Sequence, residues 1–237
     1  MTRVALPLGV VLVWLAMALG GGWLGLEPHR VDLPRILEGP HAGAWLGHDD
    51  LGRPLLDRLV VGARTSFLVA VAVVSLSLVV GSLVGTASAW LGGVWDHVMV
   101  RVIDIFLAFP GILLAIALAG ILGPGIENVV LALAAVGWVG FARLARAQTL
   151  SLKHRDHVQA ARALGTRGGT IILRHLLPLL SAPLIVEATF GVASVVIAEA
   201  GLSFLGLGVQ PPAASWGSMI RDRSEEHTSE LQSLSHI

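Results

Sequence analysis

The chain has 237 residues, of which 54% are hydrophobic and 14% charged, well under the roughly 25% charged fraction of ordinary soluble domains. That balance points to a membrane protein, and the apolar spans below make it an all-α one. Formal net charge is zero, yet the positive charges gather in one central stretch, and nothing outside that stretch supports nucleic-acid binding. With no cysteine, a disulfide framework, a thiolate zinc site and a cysteine nucleophile are all excluded.

Val4 to Leu26 is apolar throughout, long enough to cross a hydrocarbon core of ~30 Å at about 1.5 Å per residue. It reads as a retained first span, since it exceeds the ~7–15-residue core of a secretory signal, and Gly20 to Trp23 offers no small-x-small cleavage site. Glu27 to Arg64 is polar and carries Pro28, Pro34, Pro40 and Pro54. Pro54 can open a helix in which Leu55, Leu56, Leu59 and Val60 share a face suited to the membrane interface. His48, Asp49 and Asp50 read as a solvated turn and not as metal ligands, because adjacent side chains in an extended turn rarely converge on one ion.

Phe67 to Trp90 is the second span. Gly81, Gly85 and Ala89 recur every four positions along it, so one helix face is small enough for close packing. Gly92 and Gly93 end the span, and Trp95, Asp96, His97 and Arg101 form a polar link to the third, Ile103 to Leu122. Asp104 stands near the start of that span, and Pro110 predicts a kink within it. Gly123 to Asn128 makes a tight turn, and Val129 to Phe141 is a short fourth span that must borrow Ile126 to cross.

Ala142 to Pro178 is the polar interruption. Its cations are Arg143, Arg146, Lys153, Arg155, Arg162, Arg167 and Arg174 against Asp156 alone, and such an excess marks the cytoplasmic side. Asp156 and Gln159 have capping-box spacing, Ala160, Ala161, Ala163 and Leu164 favour a helix, and Gly165 stands where a left-handed C-terminal cap belongs. Gly168 and Gly169 extend the turn before Ile171 to Leu177 resumes a helix. A small, alanine-rich surface backed by a glycine turn suits docking into a partner's groove. With this stretch inside, the N-terminus is cytoplasmic, and Glu27 to Arg64 and Gly123 to Asn128 lie outside.

Leu176 to Ala198 is the fifth span, interrupted by Pro178 and Pro183, with Glu187 near its middle and Glu199 at its close. A carboxylate in hydrocarbon costs several kcal/mol unless it faces a cavity or a partner. Glu187, Glu199 and Asp104 are therefore candidate pathway or interface residues, with a hydrogen-bonded glutamate between helices as the alternative for Glu187. Gly201 to Met219, broken by glycines and Pro211-Pro212, reads as a re-entrant or surface loop. Ser224 to Ile237 is polar and too short to cross.

Gln159, Ala160, Ala161, Gly165, Leu177 and Pro178 fall at the spacing of the EAA loop, so the chain resembles the membrane subunits of binding-protein-dependent ABC importers. There Glu-Ala-Ala is followed by Gly and later by Leu-Pro; here Gln159 replaces the usual Glu, and His175 stands where the broad pattern has Ile. Leu46 to Ser66 and Gly201 to Met219 narrow the resemblance to the dipeptide, oligopeptide and nickel permease group, of the C subunit type. The resemblance implies a polytopic helical bundle of the type I importer permease kind. Residues 1–65 would hold the first span and an external segment, 66–223 the permease core with a cytoplasmic coupling loop at 142–178, and 224–237 a tail foreign to the native reading frame. Such permeases have a sixth span, so five spans are expected here with the sixth missing.

By the same resemblance the chain forms half of a translocation pathway for peptides or a related small solute such as nickel, in the multi-pass setting of a bacterial inner membrane. Its implied partners are a second permease subunit, two ATPase subunits docking around Gln159 to Gly165, and an extracytoplasmic substrate-binding protein, all working at the lipid bilayer. No nucleotide-binding motif of the Gly-x-x-x-x-Gly-Lys-Ser/Thr kind is present, since Gly165 to Thr170 lacks the lysine. No enzymatic activity and no bound cofactor or metal are therefore expected of this chain, with ATP and Mg used by the partner subunits. His154 and His157 lack a third ligand and read as solvated bases. A different reading is an ion- or proton-coupled secondary transporter using Asp104, Glu187 and Glu199 as coupling carboxylates.

Overall fold

Long apolar runs become long helices, because away from water each backbone N–H must find its acceptor within the segment. The computed structural model describes residues 2–224. In chain order they form α1 (Thr2–Gly20), single 3-10 turns at Gly21–Trp23 and Leu33–Arg35, α2 (Leu55–Leu91), α3 (Gly93–Leu107), α4 (Gly111–Leu122) and α5 (Ile126–Leu152). Then come α6 (Asp156–Ala163), α7 (Gly168–Ile171), one wide π turn (Ile172–Leu176) and α8 (Leu177–Phe204), followed by α9 over 216–224. The described residues form no strand, only the isolated bridges His41 with Ala44 and His48 with Pro54.

Among the described residues three helices are long and apolar enough to cross a membrane, Leu55–Leu91, Ile126–Leu152 and the continuous Gly168–Phe204. α3 and α4 together make a fourth candidate, bent by 86°, and the apolar Leu8–Trp23 is shorter. These segments follow the predicted second to fifth spans in order, whereas the predicted first span is represented by the shorter apolar Leu8–Trp23 alone. They differ from the predictions in detail, the last helix also running unbroken from Gly168 through Pro178 and Pro183. α2 starts at Leu55 and absorbs the helix predicted to lie separately after Pro54, because no proline intervenes and Gly62 is carried within the helix, with Thr65 Oγ bonding the Val61 carbonyl at 3.3 Å. Pro110 makes a corner instead of a kink: Leu113 N and Leu114 N bond its carbonyl at 3.0 and 3.2 Å, so the proline opens α4, where its missing N–H costs nothing. α5 begins at Ile126 and continues to Leu152, so the first part of the predicted loop is helical. The predicted loop at Gly201 to Met219 is helical at both ends, α8 closing on Gly206 at φ +78 and α9 resuming at residue 216. Residues 225–237, and with them the expectation of a foreign tail, lie outside the described residues.

The chain divides into two compact units, each discontinuous: Met1–Val69 with Leu122–Val129 and Val196–Ile237, and Ala70–Ile121 with Val130–Val195. A linear boundary after residue 65 does not describe this division, because α2, α5 and α8 each contribute to both units.

In the first unit α1 turns Trp14 and Ala18 inward and leaves Leu8, Val10, Val11, Leu12, Val13 and Leu19 exposed, as a single apolar helix against lipid would. Trp14 meets Phe67 edge to face at 5.5 Å and Trp216 at 6.2 Å, while Trp216 Nε1 donates to the Leu59 carbonyl at 3.1 Å. The segment between α1 and α2 is a wrapped loop held by backbone bonds, among them Leu37 N to Asp49 O at 3.1 Å and Leu55 N to Gly47 O at 3.0 Å. Gly47 and Gly52 have φ of +75° and +70° and press on the Glu38 and Asp32 carbonyls, so conformation and space both require glycine.

In the second unit the small face predicted on α2 meets α5: a Cβ on Gly81 or Gly85 would strike the Trp138 or Ala142 carbonyl, and Ala89 is buried. Val74, Phe141, Ala145, Leu152, Val158, Ala161, Ile171, Leu176, Leu180 and Leu184 form the main core. A smaller cluster joins Ile103 to Val139 and Ala142, with Phe106 edge-on to Trp138 at 5.6 Å.

Candidate functional site

The exposed surface of α6 is the site that the sequence singled out, and the core beneath decides which of its residues are available. Val158 and Ala161, three apart and so on one helix face, are buried in the second unit's core. Gln159, Ala160, Arg162, Ala163 and Leu164 remain exposed, Leu164 at 85%. Thus the predicted docking set is split: Gln159, Ala160 and Gly165 stand outside, and Ala161 holds the helix down.

The turn after α6 is closed by paired backbone bonds. Gly165, at φ +77, donates its N–H to the Arg162 carbonyl at 2.9 Å, and Thr166 N bonds the Ala161 carbonyl at 3.0 Å. This is the Schellman arrangement, which satisfies the helix's last carbonyls and stops it. The predicted capping box is absent at the other end, where Arg155 is the N-cap without a side-chain bond. Gln159 instead donates Nε2 to the Lys153 carbonyl at 3.0 Å, a bond that a glutamate carboxylate could not make. Leu177 packs beside the core and donates its N–H to the Ile172 carbonyl across the π turn, whereas Pro178 is exposed. The wider turn just before Pro178 fits the general use of π geometry where a helix must adjust.

Three cations of the basic stretch are structural ties. The Arg162 guanidinium lies 4.1 Å from the centre of the Trp90 ring, a favourable cation–π placement. The same indole abuts Gly168, where a Cβ would come 2.7 Å from its Nε1. Lys153 Nζ donates to the Ala89 carbonyl at 3.0 Å, a cation at the negative end of α2. Arg146 grips Asp96 through Nε and Nη2, each at 2.7 Å, and Ser88 Oγ donates to the same carboxylate at 2.8 Å. Arg143, Arg155, Arg167 and Arg174 are exposed and keep the surface strongly positive.

The candidate carboxylates have separate environments. Asp104 is exposed on α3 and Glu187 is half-buried on α8, its Oε1 3.4 Å from where a Cβ on Gly140 would sit. Glu199 is 1% exposed and accepts from Ser66 Oγ at 3.1 Å and Ser203 Oγ at 2.7 Å, so both carboxylate oxygens are satisfied inside the first unit.

The reading of His48 to Asp50 as a solvated turn is corrected. Asp49 accepts from Leu51 N and Arg53 N at 3.0 and 2.8 Å and from Arg53 Nε at 2.7 Å, and lies 3.4 Å from buried Arg58. Arg58 also reaches Asp222 at 3.2 Å. The pattern LGHDDLGR disguised this network, because its Arg53, like Arg58 on α2, looks like an ordinary surface charge until the loop folds back on α2.

A family model described as "Binding-protein-dependent transport system inner membrane component" matches residues 77–225. The chain is 43% identical over 186 residues to a dipeptide transport system permease protein of Alkalihalophilus pseudofirmus, covering 78% of this chain and 61% of that one. It is 42% identical over 199 residues to a putative peptide permease protein of Brucella ovis, covering 84% and 66%. Against a glutathione transport system permease protein of Escherichia coli it is 38% identical over 214 residues, covering 90% and 71%. The chain thus spans about two thirds, or a little less, of the length of the first two relatives.

Proposed function

The chain belongs to the family of inner membrane components of binding-protein-dependent transport systems, and from that premise we propose that it is a permease subunit of an ATP-driven peptide importer. It lies in the bacterial inner membrane as a multi-pass protein and supplies half of a translocation pathway. A second permease subunit supplies the other half, an extracytoplasmic binding protein delivers substrate, and two ATPase subunits use ATP and Mg. Small peptides are the favoured substrate class, since dipeptide, peptide and glutathione permeases are its relatives by name; nickel or another small solute is the less favoured cargo. Family membership also favours this reading over gradient-driven transport on Asp104, Glu187 and Glu199.

The observation that carries the coupling step is the exposed face of α6. A helix fixed to the core by Val158 and Ala161, and stopped by Gly165, presents Gln159, Ala160, Ala163 and Leu164 outward as a ridge with two alanines at its centre. Such a ridge fits a groove on an ATPase subunit. When ATP closes the ATPase pair, movement of the docked helix is passed to α5 and α8 through the shared core, as rigid-body alternating access requires.

The test uses single cysteines, convenient because the chain has none. With the importer's other subunits co-expressed and a benzophenone maleimide attached to the thiol, Leu164→Cys should photo-crosslink to the ATPase subunit, and Ile185→Cys, exposed on α8, should not. Intact ATP-dependent uptake with no adduct from Leu164→Cys, Ala163→Cys or Ala160→Cys would overturn the docking assignment.

A further inference from the structure

We propose that the loop between α1 and α2 binds a divalent first-row transition-metal ion, of the zinc, cobalt and nickel type, on Glu38, His41 and His48. One donor atom from each of these residues lies within 4.8 Å of the other two. Glu38 presents its two oxygens to the two imidazoles, Oε1 at 4.0 Å from His41 Nδ1 and Oε2 at 3.7 Å from His48 Nδ1. The imidazole rings lie nearly parallel, 5.6 Å apart. Two imidazoles and a carboxylate are the donor set that such ions prefer.

The second observation is the state of His48. Its side chain is only 6% exposed, and its Nδ1 is buried with no hydrogen-bond partner. A buried polar nitrogen without a partner carries a desolvation cost, and an ion bound there would remove it. Glu38 and His48 also border a cavity of about 520 Å³, which leaves space for water or a further ligand at an open coordination position.

The backbone brings these three residues together without the metal. His48 N bonds the Glu38 carbonyl at 3.0 Å, and His41 and Ala44 exchange two bonds of 3.0 Å, so a tight turn carries His41 back over the other two. Gly47 allows the closure by packing on the Glu38 carbonyl. Ligands on a tetrahedral ion with bonds of about 2.0–2.1 Å lie roughly 3.3 Å apart, so binding draws the three side chains in by about an ångström and needs no refolding of the loop. Arg35 Nε, 3.9 Å from Glu38 Oε2, is the competing cation, but it is half-exposed and lies closer to Asp32, at 3.4 Å. The ion would act as a clip on this loop, and the proposal stands independently of what the chain transports.

The experiment is a cobalt(II) titration of the full 237-residue chain, purified in detergent with a tag free of histidine and stripped of metal. The readout is the visible ligand-field absorption of the bound ion, followed by displacement with zinc. The unaltered chain should give the band saturably at one equivalent. Glu38→Gln, which keeps the side chain's size, His41→Ala and His48→Ala should each weaken binding about tenfold or more, and His97→Ala, outside the cluster, should not. A band equally strong in Glu38→Gln and His48→Ala would place the ion elsewhere and overturn the proposal, as would absence of any band in the unaltered chain.

Discussion

Arg146 and Asp96 show how much of the basic stretch is spent on holding the fold. The pair is bidentate, with side chains 27% and 15% exposed, so it is screened less than a surface pair and costs less to form than a fully buried one. We expect Arg146→Ala to destabilise the protein by about 1–2 kcal/mol, below the roughly 3–5 kcal/mol of a fully buried broken pair. Arg146→Lys should cost about half as much, since lysine keeps the charge but cannot reproduce the fork. Thermal unfolding of the purified variants in one detergent would measure both, and equal losses would mean that the bidentate fork alone matters and the charge contributes nothing. Pairings of this kind were not legible in the sequence. Asp96 and Arg146 stand 50 residues apart, and only the meeting of α3 with α5 makes them neighbours. Gly81, Gly85 and Ala89 were legible, because their spacing alone puts three small residues on one helix face. Glu187 and Glu199 look alike as intramembrane acids, and only the packing of Ser66 and Ser203 around Glu199 sets them apart.

At the level of one element, α6 places a buried face and an exposed face within a single turn. Ala161 is in the core and Ala163 is on the surface, two positions apart and on different faces. Ala161→Glu should bury an unpaired carboxylate and lower the amount of folded protein in the membrane. Ala163→Glu should leave that amount unchanged and reduce ATP-dependent uptake. Immunoblots of membranes beside peptide uptake assays would separate the two outcomes; parallel loss of protein in both variants would count against α6 as a docking surface. Gly165 has its own prediction, since a side chain at φ +77 costs roughly 1–2 kcal/mol. Gly165→Val should lower the unfolding temperature, and Gly165→Asn, which tolerates the left-handed region, should lower it less. The helix, its glycine stop and its alanine face were readable in advance from local propensity. Its buried edge was not, because Val158 and Ala161 are assigned to the core by α5 and α8, far along the chain. The capping box failed for a related reason: Gln159 found a nearer acceptor in the Lys153 carbonyl.

Across the whole molecule, the order of apolar segments was legible, whereas their ends were not. Hydrophobicity reports which residues avoid water, but a helix continues as long as its backbone finds partners, so α2 and α5 extend beyond the apolar runs that seeded them. The corner at Pro110 was visible as a proline, yet its 86° bend depends on the apolar α4 resuming directly after it. Orientation in the membrane rests on charge. The excess of arginine and lysine in Ala142 to Pro178 predicts that this stretch faces the cytoplasm, which sets the loop between α1 and α2 on the opposite side. Trp45 and Leu164 are 76% and 85% exposed, so cysteines placed there, one per molecule, should react freely once reached. A membrane-impermeant maleimide should label Trp45→Cys in spheroplasts, with their outer envelope removed, and label Leu164→Cys only after the membrane is permeabilised. The reverse pattern would invert the topology and place α6 where no ATPase could reach it. Labelling of both without permeabilisation would mean that the segments between them do not cross the membrane an odd number of times.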